Sequence, residues 1–102
     1  MAPVHPGEIL REDFMKPLGL SINRLALDLH VPAMRMGEIV HERRSITADT
    51  ALRLARYFKT NPEFWLNLQN FFDIDRERSL RRIRNFRPLT FDLRLDRGRS
   101  VY

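Results

Sequence analysis

Residues 21–40, SINRLALDLHVPAMRMGEIV, contain two short amphipathic segments joined by a tight turn. Ser21 suits the N-cap of the first segment, because its hydroxyl can accept a hydrogen bond from a free amide of the first helical turn. Apolar residues then follow at helical spacing, at Ile22, Leu25, Ala26 and Leu29. The pattern predicts a helix over roughly residues 21 to 29.

The second segment predicts another helix over about residues 32 to 40. Pro32 fits its first turn, and three apolar residues can face a core, namely Met36, Ile39 and Val40. Small Ala26 allows the two helices to cross closely. The turn residue is His30, where this motif usually has glycine because the backbone is left-handed, a region that histidine tolerates better than most residues. Together the two helices match the helix-turn-helix motif.

Three further helical segments surround this motif. The first covers residues 8–15, with Ile9, Leu10 and Phe14 on one side, and Pro17 and Gly19 end it. Thr47 is a suitable N-cap for the next segment, ADTALRLARYF, whose apolar stripe is Ala51, Leu52, Ala55 and Phe58. TNPEFWLNLQNFF then combines a capping-box pattern, Thr60 to Glu63, with a proline in the first turn. The sequence therefore predicts a small all-α domain of five helices.

The last of these helices has more apolar surface than one face can hold. Its large apolar residues point in several directions, and they are Phe64, Trp65, Leu68, Phe71 and Phe72. We expect the excess to form an interface with a partner, most simply a second copy in a homodimer. The alternative is that a small domain uses all of these side chains in its own core.

The charge of the chain is unevenly distributed. The 102 residues are 43% apolar, 10% aromatic and 30% charged, which suits one compact domain. Residues 1–75 contain nine Lys or Arg against ten Asp or Glu, a net charge of −1, whereas residues 76–102 contain nine Arg against three acids, a net charge of +6. We expect a helix-turn-helix domain over 1–75 and a basic C-terminal extension over 76–102. A nucleic-acid hypothesis for the domain must rest on its motif and not on global charge.

The extension changes character along its length. DRERSLRRIRNF can continue as a helix with Leu80, Ile83 and Phe86 as its apolar positions, until Pro88 stops it. LTFDLRLD, residues 89–96, then alternates apolar and polar residues with the period of a strand. A lone strand is not stable. This segment therefore either pairs with another chain or is a disordered end.

The sequence lacks the residue sets of common catalytic and metal sites. It has no cysteine, and His5, His30 and His41 lack the i, i+4 spacing of helical zinc ligands. Its four glycines form no phosphate-binding loop. We expect no catalytic residues, no metal, no cofactor and no enzymatic activity. No window approaches the roughly 20 apolar residues of a membrane span, so we expect no membrane association and a cytoplasmic location.

Three phrases of the sequence resemble the HigA/VapI-type antitoxins of the Xre helix-turn-helix group. They are HPGEILREDFMKPLGLSINRLALDLHVP (5–32), ITADTALRLARYF (46–58) and NPEFWLNLQ (61–69), and the resemblance covers roughly residues 5 to 75. It implies a lambda-repressor-like fold and a homodimer that binds double-stranded DNA at an inverted-repeat operator and represses its own operon. It also implies that the chain binds and neutralises a HigB-type toxin, a RelE-like mRNA endonuclease.

The resemblance also suggests which residues contact DNA bases. The family commonly has VPPNRINEIVNGKR after the turn, so Arg35 and Glu38 match, whereas Met34 and Gly37 stand where asparagines are usual. We expect base contacts from Ala33, Met34, Arg35, Gly37 and Glu38, with hydrogen-bonding readout only from Arg35 and Glu38. Ala33 and Met34 offer at most apolar contact with a thymine methyl group. The alternative is that Arg35 and Glu38 pair with each other on a solvated face.

Phosphate contacts are expected on either side of this helix. The candidates lie at the start of the first motif helix and in the turn after the second, and they are Ser21, Asn23, His41, Arg43 and Arg44. The alternative is an ordinary basic loop. In the extension, the arginines could contact flanking DNA, or the strand-like segment could add to the edge of a toxin's β-sheet.

Two other functions fit the same residues. The chain could be a stand-alone Xre-family transcriptional regulator with no toxin. It could also be a protein-interaction module whose altered recognition helix no longer binds DNA.

Overall fold

The computed structural model describes residues 3–80, and every element in that range is helical. Helix α1 consists of three consecutive segments, α-helical Pro6–Ile9, π-helical Leu10–Met15 and α-helical Lys16–Leu18. The others are α2 (Ile22–Leu29), α3 (Ala33–Val40), α4 (Ala48–Phe58) and α5 (Pro62–Ser79). The prediction of an all-α fold with five helices is confirmed.

Helix α1 is longer than the predicted 8–15. It begins after His5, whose Nδ1 accepts a hydrogen bond of 2.8 Å from the Gly7 amide, and it continues through Pro17 to Leu18. A proline ring clashes with the carbonyl four residues earlier in a regular α-helix, and the wider π turn directly before it relieves that crowding. Gly19 ends the helix in the left-handed conformation, with φ 65°. The expectation that Pro17 ends the helix was therefore wrong.

Helices α2 and α3 form the predicted helix-turn-helix pair. The Ser21 hydroxyl accepts a hydrogen bond of 3.0 Å from the Arg24 amide, which confirms the predicted N-cap. His30 follows α2 with φ 57°, so the turn is left-handed as predicted. Pro32 is the N-cap of α3 and not a residue of its first turn, because its ψ of 138° is extended. The buried residues of α3 are the predicted Met36, Ile39 and Val40.

Two details of α4 and α5 differ from prediction. Leu52 on α4 is exposed, and Leu54 is fully buried in its place, because the face of α4 that packs on the core is rotated from the predicted stripe. At the start of α5 the N-cap is Asn61, whose Oδ1 accepts a hydrogen bond of 2.8 Å from the Phe64 amide. The Thr60 to Glu63 capping box does not form, since the Thr60 hydroxyl accepts a hydrogen bond of 2.9 Å from Trp65 Nε1.

Trp65 lies at the centre of an aromatic cluster that joins α1, α4 and α5. Its ring centroid is 5.0 Å from that of Phe14 on α1, and Phe14 is 5.0 Å from Phe58 on α4. Trp65 is fully buried in the single chain. The prediction that its side chain forms a partner interface was therefore wrong, because the core of the monomer already encloses it.

Helix α5 runs without interruption across the boundary predicted at residues 75 and 76. The expected helical continuation of DRERSLRRIRNF is confirmed as far as Ser79. The division into a domain and an extension stays a prediction. Ile83, Phe86 and the strand-like segment 89–96 lie outside the described residues.

Candidate nucleic-acid interface

Helix α3 has one buried face and one face open to solvent. Three of the residues predicted to contact bases are exposed, namely Ala33, Met34 and Arg35, while Gly37 and Glu38 are half-buried. Met34 is the most open of them, with 80% of its surface accessible. The five predicted residues therefore lie together on the side of α3 away from the core.

Glu38 forms an ion pair with Arg44 and not with Arg35. Arg44 Nε and Nη2 both lie 3.0 Å from Glu38 Oε1, so the alternative pairing of Arg35 with Glu38 is not formed. Within residues 3–80, no side-chain hydrogen bond or ion pair engages Arg35. Its guanidinium is free to donate, whereas one oxygen of the Glu38 carboxylate already accepts from Arg44.

The candidate phosphate contacts lie at the two ends of the motif. Ser21 and Asn23 are exposed at the start of α2, and His41, Arg43 and Arg44 are exposed after α3. The Ser21 oxygen caps α2 by accepting a hydrogen bond, which leaves its O–H available to donate to another group. These positions present donors to an anion on both sides of the open face of α3.

The turn after α3 has a fixed backbone geometry. The amide of Glu42 donates to the Ile39 carbonyl at 3.0 Å, and the amide of Arg43 donates to the Glu38 carbonyl at 2.7 Å. Glu42 is left-handed, with φ 66°. Because both amides are used inside the protein, Glu42 and Arg43 can offer a phosphate their side chains but not these two N–H groups.

Arg11 on α1 holds this turn in place, a role that the sequence did not indicate. Its Nη1 donates to the Val40 carbonyl at 2.6 Å, and its Nη2 lies 3.1 Å from Glu42 Oε2. Hydrogen bonds to Glu12 and then Glu42 raise the pKa of Arg11 above its usual value. The guanidinium thus binds the last carbonyl of α3 and also the side chain of Glu42, the left-handed residue of the turn.

The start of α1 touches the backbone of α3 directly. A Cβ at Gly7 would overlap the carbonyl oxygen of Ile39, so only glycine permits this approach. His5, two residues before it, is buried and packs edge-on against Phe72 of α5 at 4.7 Å between ring centroids. The position of α3 is therefore set by the first residues of α1.

Helix α4 holds the end of α2 in a similar way. Arg53 Nη1 donates to the Leu29 carbonyl at 2.8 Å, and the Tyr57 hydroxyl donates to Asp28 Oδ2 at 2.7 Å. The hydrogen bond to Asp28 raises the pKa of Tyr57. Both motif helices thus have their C-terminal ends bound by an arginine from outside the motif.

Several proteins have a similar sequence or structure. The chain is 50% identical over 95 residues to virulence-associated protein I of Dichelobacter nodosus, with 92% of this chain and 88% of the relative covered. The Pseudomonas aeruginosa antitoxin HigA, solved with the higBA promoter, superimposes with a TM-score of 0.82 at 40% identity, covering 86% of this chain and 99% of that one. The chain belongs to the HigA/VapI-type antitoxin family.

Another similar solved structure is the antitoxin GraA in complex with its operator. It superimposes with a TM-score of 0.78 at 42% identity, covering 89% of this chain and 95% of that one. No protein-family model matches the sequence. The family assignment therefore rests on the individual relatives and on the shared fold.

In this HigA/VapI-type chain, α5 retains an apolar surface after folding. Phe71 is 64% exposed and Phe64 is also exposed, while Leu68 and Phe72 are half-buried. Ile74, which is not one of the predicted interface residues, is exposed on the same helix. Four of the five residues predicted to form an interface thus remain accessible, and Trp65 does not.

The rest of the described chain contains neither a metal-ligand cluster nor a membrane-length helix. Residues 3–80 bring no three His, Cys, Asp or Glu side chains together in a way that could hold an ion. None of the helices in that range combines the length and hydropathy needed to cross a membrane.

Proposed function

We propose that the chain is the antitoxin of a type II toxin-antitoxin pair. It binds operator DNA through α3, represses its own operon, and binds and neutralises a HigB/RelE-like mRNA endonuclease. The observation that supports this most directly is the open face of α3, where Arg35 is exposed and has no hydrogen-bond or ion-pair partner within residues 3–80, while Ser21 and Arg43 are exposed at the two ends of the motif. The two relatives solved with promoter or operator DNA share this fold.

Arg35 supplies base recognition and the turn after α3 supplies affinity. A guanidinium can donate two hydrogen bonds to guanine in the major groove, a contact worth roughly 1–3 kcal/mol of discrimination. Arg43 has no ion-pair partner within residues 3–80, so it can neutralise a phosphate without breaking an internal contact. Arg44 must first leave Glu38, or share its guanidinium with it.

A homodimer places two such faces on one DNA duplex. The exposed part of α5, centred on Phe71, is the proposed contact between copies, since a monomer gains nothing from leaving that ring in water. Twofold symmetry then requires an inverted repeat with half-sites about 34 Å apart.

The test of DNA binding is a gel shift with the region upstream of the protein's own gene. Arg35→Ala is expected to relax the preference for the operator over unrelated DNA. Arg43→Ala is expected to weaken binding to all sequences and to reduce the salt slope by about one unit. Lys59→Gln is the charge-matched control, because Lys59 ends α4 next to the Phe58 side of the aromatic cluster and not beside α3. Absence of any shift at low salt would instead favour a protein-interaction module.

The test of toxin binding is co-expression with the product of the adjacent gene. Co-purification, together with rescue of growth from that product, is expected for an antitoxin. A chain that shifts its operator but neither binds nor neutralises the neighbouring product is a stand-alone transcriptional regulator.

A further inference from the structure

The open face of α3 is mostly apolar. Pro32, Ala33 and Met34 are exposed in succession, and Gly37 one turn later adds no side chain. Across an open groove from Ala33 lies Leu27 of α2, which is 70% exposed. Apolar side chains are therefore concentrated on the surface that faces DNA in the proposed complex, where polar groups would be expected to contact bases.

One of the two polar side chains predicted to contact bases already has a partner in the protein. Glu38 Oε1 accepts from Arg44 at 3.0 Å, so a hydrogen bond from cytosine to Glu38 would have to share the carboxylate with this ion pair or replace it. No amide side chain is available on α3 to form the paired hydrogen bonds that identify adenine. Arg35 is the polar side chain of α3 that no hydrogen bond or ion pair engages within residues 3–80, and it suits guanine.

Besides hydrogen-bond donors and acceptors, the major groove also presents an apolar group. Thymine presents a C5-methyl group there, and apolar side chains distinguish thymine by contact with it. Met34 is long and unbranched, so its thioether can adjust to a methyl group at more than one depth. Ala33 lies beside it on the same exposed turn.

We propose that Met34, supported by Ala33, recognises a thymine methyl group in each operator half-site, next to the guanine contacted by Arg35. This inference rests on the DNA binding proposed above and specifies the bases that are bound. Burial of one methyl group against Met34 corresponds to about fourfold in affinity, and to about 15-fold when both half-sites lose it.

The experiment replaces thymine by uracil, which removes the methyl group and keeps every hydrogen-bonding group of the base. Fluorescence anisotropy would compare the inverted repeat from the protein's own upstream region with duplexes carrying one deoxyuridine per half-site at each thymine position. For the wild-type chain, the affinity is expected to fall about 15-fold at one or more thymine positions when both half-sites carry deoxyuridine. For Met34→Asn the same substitution is expected to have no effect.

The comparison of variants separates direct contact from changes in the DNA itself. Leu18→Asn is the matched control, since Leu18 is an exposed apolar residue at the end of α1, and it should keep the full sensitivity to uracil. If the sensitivity persists in Met34→Asn, it arises from DNA shape and Met34 is not the reader. Operator-specific binding with no sensitive thymine would also overturn the inference. If the wild-type chain does not bind the unmodified operator specifically, the proposed DNA binding is refuted instead.

Discussion

Arg11 and Val40 are 29 positions apart in the sequence, yet Arg11 Nη1 donates a hydrogen bond of 2.6 Å to the Val40 carbonyl. That carbonyl is one of the last in α3, where the helix has no amide of its own to offer. A cation at this end is also favoured by the helix dipole. The contact therefore fixes the end of the proposed recognition helix, and with it the direction of the chain in the turn that contains Arg43.

Replacement of Arg11 should weaken both folding and DNA binding. Arg11→Ala is expected to lower the free energy of unfolding by about 1.5–2 kcal/mol, the lower part of the range for a charged hydrogen bond, because the side chain is 27% exposed. Affinity for DNA should fall for all sequences alike. Urea unfolding and anisotropy measure the two effects. Lys16→Ala, which removes an exposed ion pair with Glu12, should cost less than about 1 kcal/mol. Equal effects of the two variants would contradict the positioning role.

Two glycines should respond in opposite ways to alanine. Gly7→Ala forces a Cβ into the Ile39 carbonyl, so backbone must move, and a loss of about 2 kcal/mol or more is expected. At Gly37 an added Cβ would meet only Ile22 Cγ2 at 3.9 Å, an ordinary contact. Gly37→Ala should therefore stabilise α3 by up to about 1 kcal/mol. Thermal unfolding followed by circular dichroism would compare the two variants. Destabilisation by both would contradict the inference that a Cβ fits at Gly37 but not at Gly7.

Stability should fall below neutral pH because of His5. Burial lowers the pKa of His5, although Glu42 and Asp73 partly oppose this. Its Nδ1 accepts a hydrogen bond in the folded chain, which requires the neutral ring. The unfolded chain therefore binds a proton first, near pH 6.5. The contribution of His5 is complete above that pH and is lost as the pH falls towards the folded pKa.

The measurement is urea unfolding between pH 7.5 and pH 5. His5→Asn retains a side-chain oxygen for the N-cap and cannot titrate, so its stability should decline less steeply than that of the wild type. Parallel curves for the two chains would show that another group causes the decline.

The exposed ring of Phe71 makes the proposed dimer testable. Phe71→Asp should shift the chain to monomer in sedimentation at micromolar concentration, because it places a charge in an apolar contact. The fold should remain, since the ring is 64% exposed in the single chain. Leu52→Asp, an exposed apolar residue on α4, is the control and should leave the oligomeric state unchanged. An unaltered sedimentation coefficient for Phe71→Asp would exclude this face as the dimer contact.

Local patterns in the sequence were sufficient for most of the fold. Ser21 and Thr47 were recognisable as N-caps because a cap depends on residues within one turn, and the left-handed turn at His30 follows from the motif. The error at Leu52 and Leu54 came from helix orientation, which depends on neighbouring helices. Trp65 was assigned to an interface because spacing alone cannot say whether an aromatic side chain faces the core.

The candidate site was harder to predict for the same reason. The sequence motif is sufficient to identify the exposed residues of α3, but it does not show which of their side chains have partners elsewhere in the protein. Glu38 is occupied by Arg44 from beyond the helix, and Arg11 reaches the turn from a distant part of the chain. No pattern in a single sequence links such positions. Of the two polar side chains predicted to contact bases, Arg35 is therefore unengaged within residues 3–80, whereas Glu38 shares its carboxylate with Arg44.

The junction at the start of α1 has a thermodynamic consequence. His5 touches Phe72 of α5, and Gly7 two residues later touches the Ile39 backbone of α3. A partner that displaced α5 would therefore disturb the His5 contact that lies two residues from the Gly7 approach to α3. Linkage makes such coupling reciprocal: the factor by which a bound toxin alters operator affinity equals the factor by which the operator alters toxin affinity. Measuring either factor fixes the other.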